Sequence, residues 1–397
     1  MSSGTSMTTV LLRGQVHTGR RVITDGWVHL ADGRVTAVGA GFQPPPPASR
    51  EVRGHRVVPG FVDVHCHGGG GATFGASGGD PELEVDAARA VARLHRAHGT
   101  TTLVASLVSR PVPELVAVAS ALEPLVRSGE LAGIHLEGPW LSPARAGAHA
   151  PTLLRRPIPE DVDALLATGV VVMVTLAPEL PGGLDTVRQL ARAGVLVAVG
   201  HTDADAATTR AAVDTGARVA THLFNAMPSV HHRAPGPVVA LLGDERVVVE
   251  LIADGVHLDP LVLTHAARAA GRGRWVLVTD AMAAAGCADG RYELGGAAVS
   301  VVGGVARLAP ASGEGGDDGD RGDDGGALGA IAGSTLTLDA ALRFAVDAGL
   351  PFGDVLTAVT STPAGLLGRA DRGHLEPGAT GGAVLLDESL EVLSVHL

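Results

Sequence analysis

The sequence predicts an α/β fold: a (β/α)8 TIM-like barrel with a small β-sandwich domain built from both chain ends. From about residue 58 onward, apolar segments alternate with Ala/Leu/Arg-rich segments of helical length. Continuous apolar strands of this kind are typical of a parallel sheet covered on both faces, and about eight such units fit a barrel. Both chain ends instead contain short Val, Leu and Ile segments separated by glycine-rich turns, which indicates antiparallel strands.

The domain boundaries are placed where these patterns change. Residues 1–57 and 365–397 contain the short strands of the predicted sandwich, and residues 58–364 form the predicted barrel. The link FQPPPPASREV precedes the barrel, and its consecutive prolines exclude a helix. A Gly/Asp-rich segment near 311–329 has no periodicity, so we interpret it as a flexible surface insertion. Calcium binding there is disfavoured because the closing glutamate of an EF-hand loop is absent.

Composition excludes several classes of function. The net charge of the 397-residue chain is −12, whereas nucleic-acid or anionic-membrane partners need clustered Lys and Arg. No apolar run reaches the roughly 18–20 residues of a membrane helix, and the N-terminus lacks the pattern of a secretory signal. Two cysteines, Cys66 and Cys287, offer no disulfide framework. We therefore expect a cytoplasmic enzyme with a small-molecule substrate.

Polar residues follow the apolar segments at the end where a barrel places catalytic groups. His65 and His67 end the first segment, and their rings can converge because alternate residues of a strand share a face. A single histidine in such a position is more often a hydrogen-bonded core or loop residue, but the joint pattern predicts a metal site. The polar residues that end the later segments are Glu137, His201, His222, His257 and Asp280.

This set of side chains indicates hydrolytic metal chemistry. Imidazole nitrogens combined with a carboxylate suit zinc or ferrous iron, and a catalytic site keeps one position open for water. Water bound to such a cation ionises near neutral pH and becomes a nucleophile. A nearby carboxylate, here Asp280, can take its proton and later deliver it to a leaving amine. The pattern therefore predicts hydrolysis of an amide-like bond.

Several ordered motifs resemble those of the N-acetylglucosamine-6-phosphate deacetylase family, within the amidohydrolase superfamily. They extend from about residue 58 to 340 and read PGFVDVHCHG, HLEGPWLSPARAGAHAP, VGHTDAD, THLFNAMPSVHHRAPG, IADGVHLD, VTDAMAAAG and IAGSTLTLD. Many two-metal amidohydrolases bridge their ions with a carboxylated lysine, but this chain contains no lysine. The resembled family uses a glutamate, which Glu137 matches. Dihydroorotase-like and hydantoinase-like enzymes are thereby disfavoured.

The resemblance implies a role for each matching residue. The main metal ligands are matched by Glu137, His201 and His222, and the general acid/base by Asp280. His65 and His67 could hold a second ion shared through Glu137 and Asp280, so one ion or two both remain open. The implied partners are a phosphosugar substrate and a second copy of the chain in a homodimer. The matching substrate-binding residues are Ala148, His149, Asn225, Ala226, Arg233, His257, Ile331, Ala332 and Gly333.

The implied reaction releases acetate from N-acetylglucosamine 6-phosphate and yields glucosamine 6-phosphate, in amino-sugar catabolism and cell-wall recycling. The nearest alternative is the same chemistry on another N-acylated amino sugar or an N-acyl amino acid. A non-catalytic scaffold on the same barrel is disfavoured because every predicted ligand is present. Without the resemblance, the polar turn that contains Arg233 would indicate only an exposed arginine with no role in binding. Asp63 either orients a ligand histidine or ends its strand with a hydrogen bond, and Cys66 is expected to be packed.

Overall fold

The computed structural model describes residues 9–76, 80–309 and 329–397. Apart from Gly329, the predicted Gly/Asp-rich insertion near 311–329 lies outside these ranges. Within them the strands are β1 (Thr9–His17), β2 (Val22–Ala31), β3 (Arg34–Ala40), β4 (Arg50–Pro59), β5 (Phe61–Cys66), β6 (Gly68–Gly69), β7 (Ala72–Thr73), β8 (Thr100–Leu107), β9 (Gly133–Glu137), β10 (Val171–Leu176), β11 (Leu196–Val199), β12 (Val219–Ala220), β13 (Val248–Leu251), β14 (Trp275–Leu277), β15 (Gly290–Leu294), β16 (Ala297–Val302), β17 (Val305–Leu308), β18 (Ala383–Leu386) and β19 (Val392–His396).

Aspartates begin several of the helices between these strands. Asp80, Asp205 and Asp259 each accept backbone N–H bonds in the first turn of their helices, which satisfies donors that have no partner inside the helix. None of the described helices is both long and apolar enough to cross a membrane. The α-helices are α1 (Pro81–Ala97), α2 (Val112–Ser128), α3 (Pro159–Leu166), α4 (Gly183–Arg192), α5 (Ala206–Thr215), α6 (Gly236–Leu242), α7 (Pro260–Ala270), α8 (Leu338–Asp347), α9 (Phe352–Val359) and α10 (Ser361–Leu366).

Eight parallel strands form the barrel, in the order β5, β8, β9, β10, β11, β12, β13, β14. Every residue of β5 and β9 is buried, as expected for strands whose outer faces are covered by helices. One large apolar cluster joins the strands to the helices around them. The predicted (β/α)8 barrel is confirmed, and the carboxyl ends of its strands lie at one face.

Polar contacts join the two ends of the barrel sheet. Asp63 on β5 accepts a hydrogen bond from the Thr279 hydroxyl at 2.6 Å and another from the His65 backbone N–H at 3.2 Å. The backbone N–H of Asp280 donates to the His65 carbonyl at 2.9 Å. Burial raises the pKa of Asp63 to about 7 despite these bonds. Asp63 therefore fixes the His65 backbone and also links the first strand to the segment that follows the last.

The two chain ends combine in one six-stranded sheet, in the order β19, β18, β4, β1, β2, β3. Antiparallel pairing of β18 with β4 joins the C-terminal strands to the N-terminal ones. The inward side chains Leu12, Val28, Val57 and Leu385 are buried in a separate apolar cluster. The small β domain formed from both chain ends is thus confirmed, whereas the boundaries drawn at residues 57 and 364 stay a prediction.

A three-stranded antiparallel sheet, β15–β16–β17, was not predicted from the sequence. It lies between β14 and α8 in the chain, within the range assigned to the barrel alone. Leu294 and Val299 of this sheet pack with Val108 and Met282, which follow barrel strands β8 and β14. The sheet therefore covers part of the rim at the carboxyl ends of the strands, beside the predicted site.

We expect an Asp339→Asn substitution to lower the free energy of unfolding by about 1–3 kcal/mol at neutral pH. Asp339 on α8 is only 3% exposed and accepts hydrogen bonds from His98 Nδ1 at 3.2 Å and Arg343 at 3.1 Å. Burial alone would raise the pKa of Asp339. The hydrogen bond from His98 and the other polar groups around the carboxylate outweigh burial and hold that pKa at about 2, below the ordinary value of 3.8. The charged carboxylate is therefore stabilised by folding.

The pKa of Asp339 is lower in the folded protein than in the unfolded chain. Its contribution to the free energy of unfolding is therefore fully present above pH 3.8 and is lost as the pH falls through about 2. Urea unfolding of both proteins at neutral pH and in acid measures it. The difference in the free energy of unfolding between wild type and variant should be smaller in acid than at neutral pH. Equal unfolding midpoints at neutral pH would contradict the expected role of Asp339.

Candidate active site

A cavity of about 550 Å³ lies at the carboxyl ends of the barrel strands. Most of the predicted site residues line it, whereas His65 and Ala332 are buried behind its wall and Arg233 is exposed outside it. The predicted residues in the lining are His67, Glu137, Ala148, His149, His201, His222, Asn225, Ala226, His257, Asp280, Ile331 and Gly333.

The first group of possible metal ligands is formed by Glu137, His201 and His222. Glu137 Oε1 lies 3.1 Å from His201 Nε2 and 3.0 Å from His222 Nε2, and these two nitrogens are 3.1 Å apart. Ligand atoms placed about 2 Å from a tetrahedral zinc ion are roughly 3.3 Å apart. The three atoms therefore have the mutual spacing that one shared cation requires.

The second group is formed by His65, His67, Glu137 and Asp280. The Nε2 atoms of His65, in β5, and His67, just after it, are 3.1 Å apart, as the alternation of residues in an extended chain predicts. His67 Nε2 also lies 3.1 Å from Glu137 Oε2 and 3.2 Å from Asp280 Oδ1. Cys66 points elsewhere, with Sγ 3.2 Å from the His95 ring. Glu137 thus contributes one oxygen to each group.

Contacts behind the rings orient three of these histidines toward the cavity. Nδ1 of His65 lies 3.0 Å from Glu250 Oε2, that of His67 3.1 Å from the Ser106 carbonyl, and that of His201 2.8 Å from the Arg145 carbonyl. Because each acceptor oxygen requires a proton on Nδ1, the neutral form of each ring has its Nε2 lone pair available for the shared centre. This donor set of imidazole nitrogens and carboxylate oxygens fits zinc or iron.

The electrostatics keep both carboxylates of the site ionised. Burial would raise the pKa of Glu137, but His65 and His201 outweigh it and hold that pKa well below its usual range. Burial would also raise the pKa of Asp280, but His65 and His67 outweigh burial and lower that pKa. Both groups are therefore anionic near neutral pH, the form in which a carboxylate binds a cation.

His149 has the properties of a neutral hydrogen-bond donor. Burial lowers the pKa of His149 to about 4, so its ring is uncharged at neutral pH. The backbone N–H of Ser109 donates to Nδ1 at 3.3 Å, which places the ring proton on Nε2. That Nε2 lies 3.3 Å from Glu137 Oε2, at the wall of the cavity. His149 can therefore donate to an oxygen bound beside Glu137.

Three of the candidate catalytic residues adopt left-handed backbone conformations. His201, His222 and Asp280 have φ angles of 46°, 28° and 49°. Such conformations cost a non-glycine residue about 1–3 kcal/mol and occur where the surrounding structure imposes them. The turns at the strand ends thus direct these side chains into the cavity at the expense of local backbone stability.

Asn225, Ala226 and His257 form another part of the cavity wall. The backbone N–H of Asn225 donates to the His222 carbonyl at 3.0 Å, so this donor fixes the turn after β12. His257 Nδ1 lies 2.7 Å from Asp254 Oδ2. Although burial would lower the pKa of His257, the bond to Asp254 outweighs it and raises that pKa. A positive charge on His257 is therefore stabilised where an anionic group could bind.

Two cavity arginines, Arg145 and Arg307, were missed in the sequence analysis. Arg145 forms an ion pair with Asp203 at 2.9 Å. Arg307, on β17, donates to the Gly329 carbonyl at 3.2 Å and has no carboxylate partner among the described residues. Arg233 instead contacts the neighbouring His232. Because the chain contains no lysine, its arginines are the fixed cationic side chains that can bind a phosphate, but only the fold of the three-stranded sheet places Arg307 in the cavity.

Comparisons with known proteins agree with this geometry. Residues 56–395 match the Amidohydrolase family. N-acetylgalactosamine-6-phosphate deacetylase of Escherichia coli O157:H7 is 34% identical over 395 residues, covering 95% of this chain and 96% of that protein. N-acetylglucosamine-6-phosphate deacetylase of Bacillus subtilis (strain 168) is 33% identical over 394 residues, covering 95% and 92%. A mutant N-acetyl-D-glucosamine-6-phosphate deacetylase of Mycobacterium smegmatis, solved with N-acetyl-D-glucosamine-6-phosphate, has a TM-score of 0.88 at 44% identity, covering 98% and 97%.

Proposed function

We propose that this chain, which belongs to the amidohydrolase family, hydrolyses the acetamide of N-acetylglucosamine 6-phosphate to glucosamine 6-phosphate and acetate. The observation that carries the proposal is the position of Glu137 between two groups of histidines in one cavity, with Asp280 against the second group. The relatives described above bear the names of deacetylases of N-acetylated amino-sugar phosphates, and they match nearly the whole chain.

Glu137, His201 and His222 would hold one divalent cation, and His65 and His67 would hold a second through the shared Glu137 and Asp280. Zinc and iron are the metals that this donor set favours. A bound cation supplies Lewis-acid polarisation of the acetyl carbonyl and lowers the pKa of water. The protein residues orient the amide, accept the proton of the attacking water and protonate the departing nitrogen.

Asp280 is proposed as the residue that transfers this proton. The carboxylate is ionised at neutral pH, which is the form that can accept a proton from water, and the same group can then donate that proton to the amine. The neutral His149, with its proton on Nε2, is placed to donate to the oxygen of the acetyl group as negative charge develops there. These two residues divide the proton transfer and the charge stabilisation between them.

The phosphate would bind where the cavity offers positive charge and N–H donors. His257 and the backbone around Ala226 form one such region, and Arg307 adds a guanidinium in the same cavity. Binding energy from the phosphate can help to position the amide for attack. Loop residues Ile331 to Gly333, of which Ile331 pairs with Arg307 in a β-bridge, are proposed to close over the sugar.

An Arg307→Gln variant is expected to raise the KM for the phosphorylated sugar roughly 10-fold with a smaller change in kcat. The physical reason is the loss of one charge-assisted bond, worth about 1.5–3 kcal/mol, to a group that does not react. Steady-state acetate release measures both constants. Arg291→Gln is the matched control because Arg291 is exposed on β15 of the same sheet and does not line the cavity. An unchanged KM in the Arg307 variant would contradict the role.

The function itself is tested by acetate release from N-acetylglucosamine 6-phosphate, its unphosphorylated form and N-acetylgalactosamine 6-phosphate. The proposal expects a strong preference for the phosphorylated glucosamine derivative. A preference for the galactosamine derivative would favour the activity named for the Escherichia coli relative. Equal rates with and without phosphate would indicate another N-acylated amino sugar or an N-acyl amino acid as substrate.

We further propose a homodimer in the cytoplasm, as the resemblance to the deacetylase family implies. Arg233 lies exposed beside His231 and His232, outside the cavity of its own chain. A position of this kind suits an arginine that reaches the phosphate bound by the partner subunit. Light scattering of the wild type and of Arg233→Gln, together with their KM values, tests the assembly and the contact separately.

A further inference from the structure

Glu250 on β13 is a fully buried carboxylate that does not line the cavity. Its Oε2 lies 3.0 Å from His65 Nδ1 and accepts a hydrogen bond from the His222 backbone N–H at 3.2 Å. Its Oε1 has no hydrogen-bond partner among the described residues. Glu250 therefore contacts one histidine from each group of possible metal ligands without reaching the space where a substrate binds.

The contact with His65 distinguishes this histidine from its neighbours. Nδ1 of His67 and of His201 lies against a backbone carbonyl, whereas Nδ1 of His65 lies against a carboxylate. A carboxylate partner fixes the ring orientation and makes the opposite nitrogen a stronger metal ligand. A buried carboxylate destabilises the fold unless it is paired. Loss of the contact with His65 would therefore be energetically unfavourable.

The contact with His222 acts on the backbone. His222 has a φ of 28°, a conformation that a non-glycine residue adopts only under constraint, and its N–H is held by the same Glu250 oxygen. The side chain of His222 points toward Glu137 in the first group. One oxygen thus fixes a ring of the second group and the peptide N–H of a residue in the first.

We propose that Glu250 is a positioning residue that holds His65 in place and thereby enables the chain to retain a second divalent cation. The inference rests on the metal site of the proposed function and extends it by naming what determines occupancy of the His65–His67 group. Because the ring of His65 depends on Glu250 whereas His222 loses only a backbone contact, the second cation should be more sensitive to Glu250 than the first.

The experiment compares Glu250→Leu and Glu250→Gln with the wild type. Leucine removes the acceptor, and glutamine keeps an oxygen that can still accept from His65. Metal content after dialysis is measured by mass spectrometry, and cobalt titration followed by visible absorption measures the affinity of each site. We expect E250L to retain one cation and to bind the second 10- to 100-fold more weakly. E250Q should lie between E250L and the wild type.

Asp339→Asn is the matched control because it also removes a buried carboxylate that accepts from a histidine, but on α8, outside the two groups of candidate ligands. This variant should keep both cations even though it is less stable. Equal second-site affinity in the wild type and E250L would overturn the proposal, as would a wild type that binds only one cation. If E250L does not fold, an E250Q affinity equal to that of the wild type would overturn it.

The outcome is separable from that of the proposed function. Failure of the function would appear as absent acetate release by protein with full metal content. Failure of the Glu250 inference would appear in the metal titration, whatever the enzyme hydrolyses.

Discussion

The Asp280→Asn variant is expected to lose roughly 10²- to 10⁴-fold in kcat on N-acetylglucosamine 6-phosphate, the range typical of removing a general acid/base. Asparagine has nearly the same shape, and its side-chain oxygen can still approach His67 at the position of Asp280 Oδ1. The amide cannot accept the proton of the attacking water and then donate it to the amine. The loss should therefore appear in turnover more than in KM or in the cation held by Glu137, His201 and His222, whereas the second cation, which Asp280 would help to hold, should bind more weakly.

Single-turnover acetate release and metal analysis of the same preparation separate these effects. Asp339→Asn serves as the control for a buried aspartate replaced outside the cavity, and it should keep wild-type turnover. Turnover close to that of the wild type in Asp280→Asn would remove Asp280 from its assigned role. Turnover that is restored by added cation would instead show that Asp280 is mainly a ligand.

Much of the site could be predicted because a parallel barrel brings the carboxyl ends of its strands to one face. His65, Glu137, His201 and Asp280 each follow an apolar segment, so recognising the segments was enough to expect that the side chains converge. The spacing of His65 and His67 also followed from the alternation of residues in a strand. These inferences need only topology and local geometry, both of which are encoded locally in the sequence.

The parts that sequence analysis missed depend on packing between distant segments. Glu250 lies in an apolar strand segment, and whether it contacts His65 depends on how β13 is placed relative to β5, which lies beyond β14 in the closed barrel. Arg307 reaches the cavity only because the three-stranded sheet packs against the residues after β8 and β14. Paired glycines separate β15, β16 and β17 and suit hairpin turns, but such a local pattern does not specify which surface the hairpins cover.

Replacing Glu137 with glutamine is expected to have the largest effect on metal binding, because this side chain belongs to both groups of ligands. Oε1 lies beside His201 and His222, and Oε2 lies 3.1 Å from His67. Loss of its charge should lower the affinity for both cations. The decrease should exceed the roughly 10- to 100-fold that follows removal of a residue hydrogen-bonded to a metal ligand. Dialysed Glu137→Gln protein should therefore contain little metal and release little acetate.

Comparing how many cations each variant retains tests the shared position of Glu137 more sharply than any single variant does. Glu137→Gln should lose both cations, Glu250→Leu only the second, and Asp339→Asn neither, when all are dialysed and titrated under one set of conditions. Added cation should partly restore Glu137→Gln, since its histidines remain. If Glu137→Gln lost only one cation, the two groups would be independent sites, and Glu137 could not be the ligand that couples them.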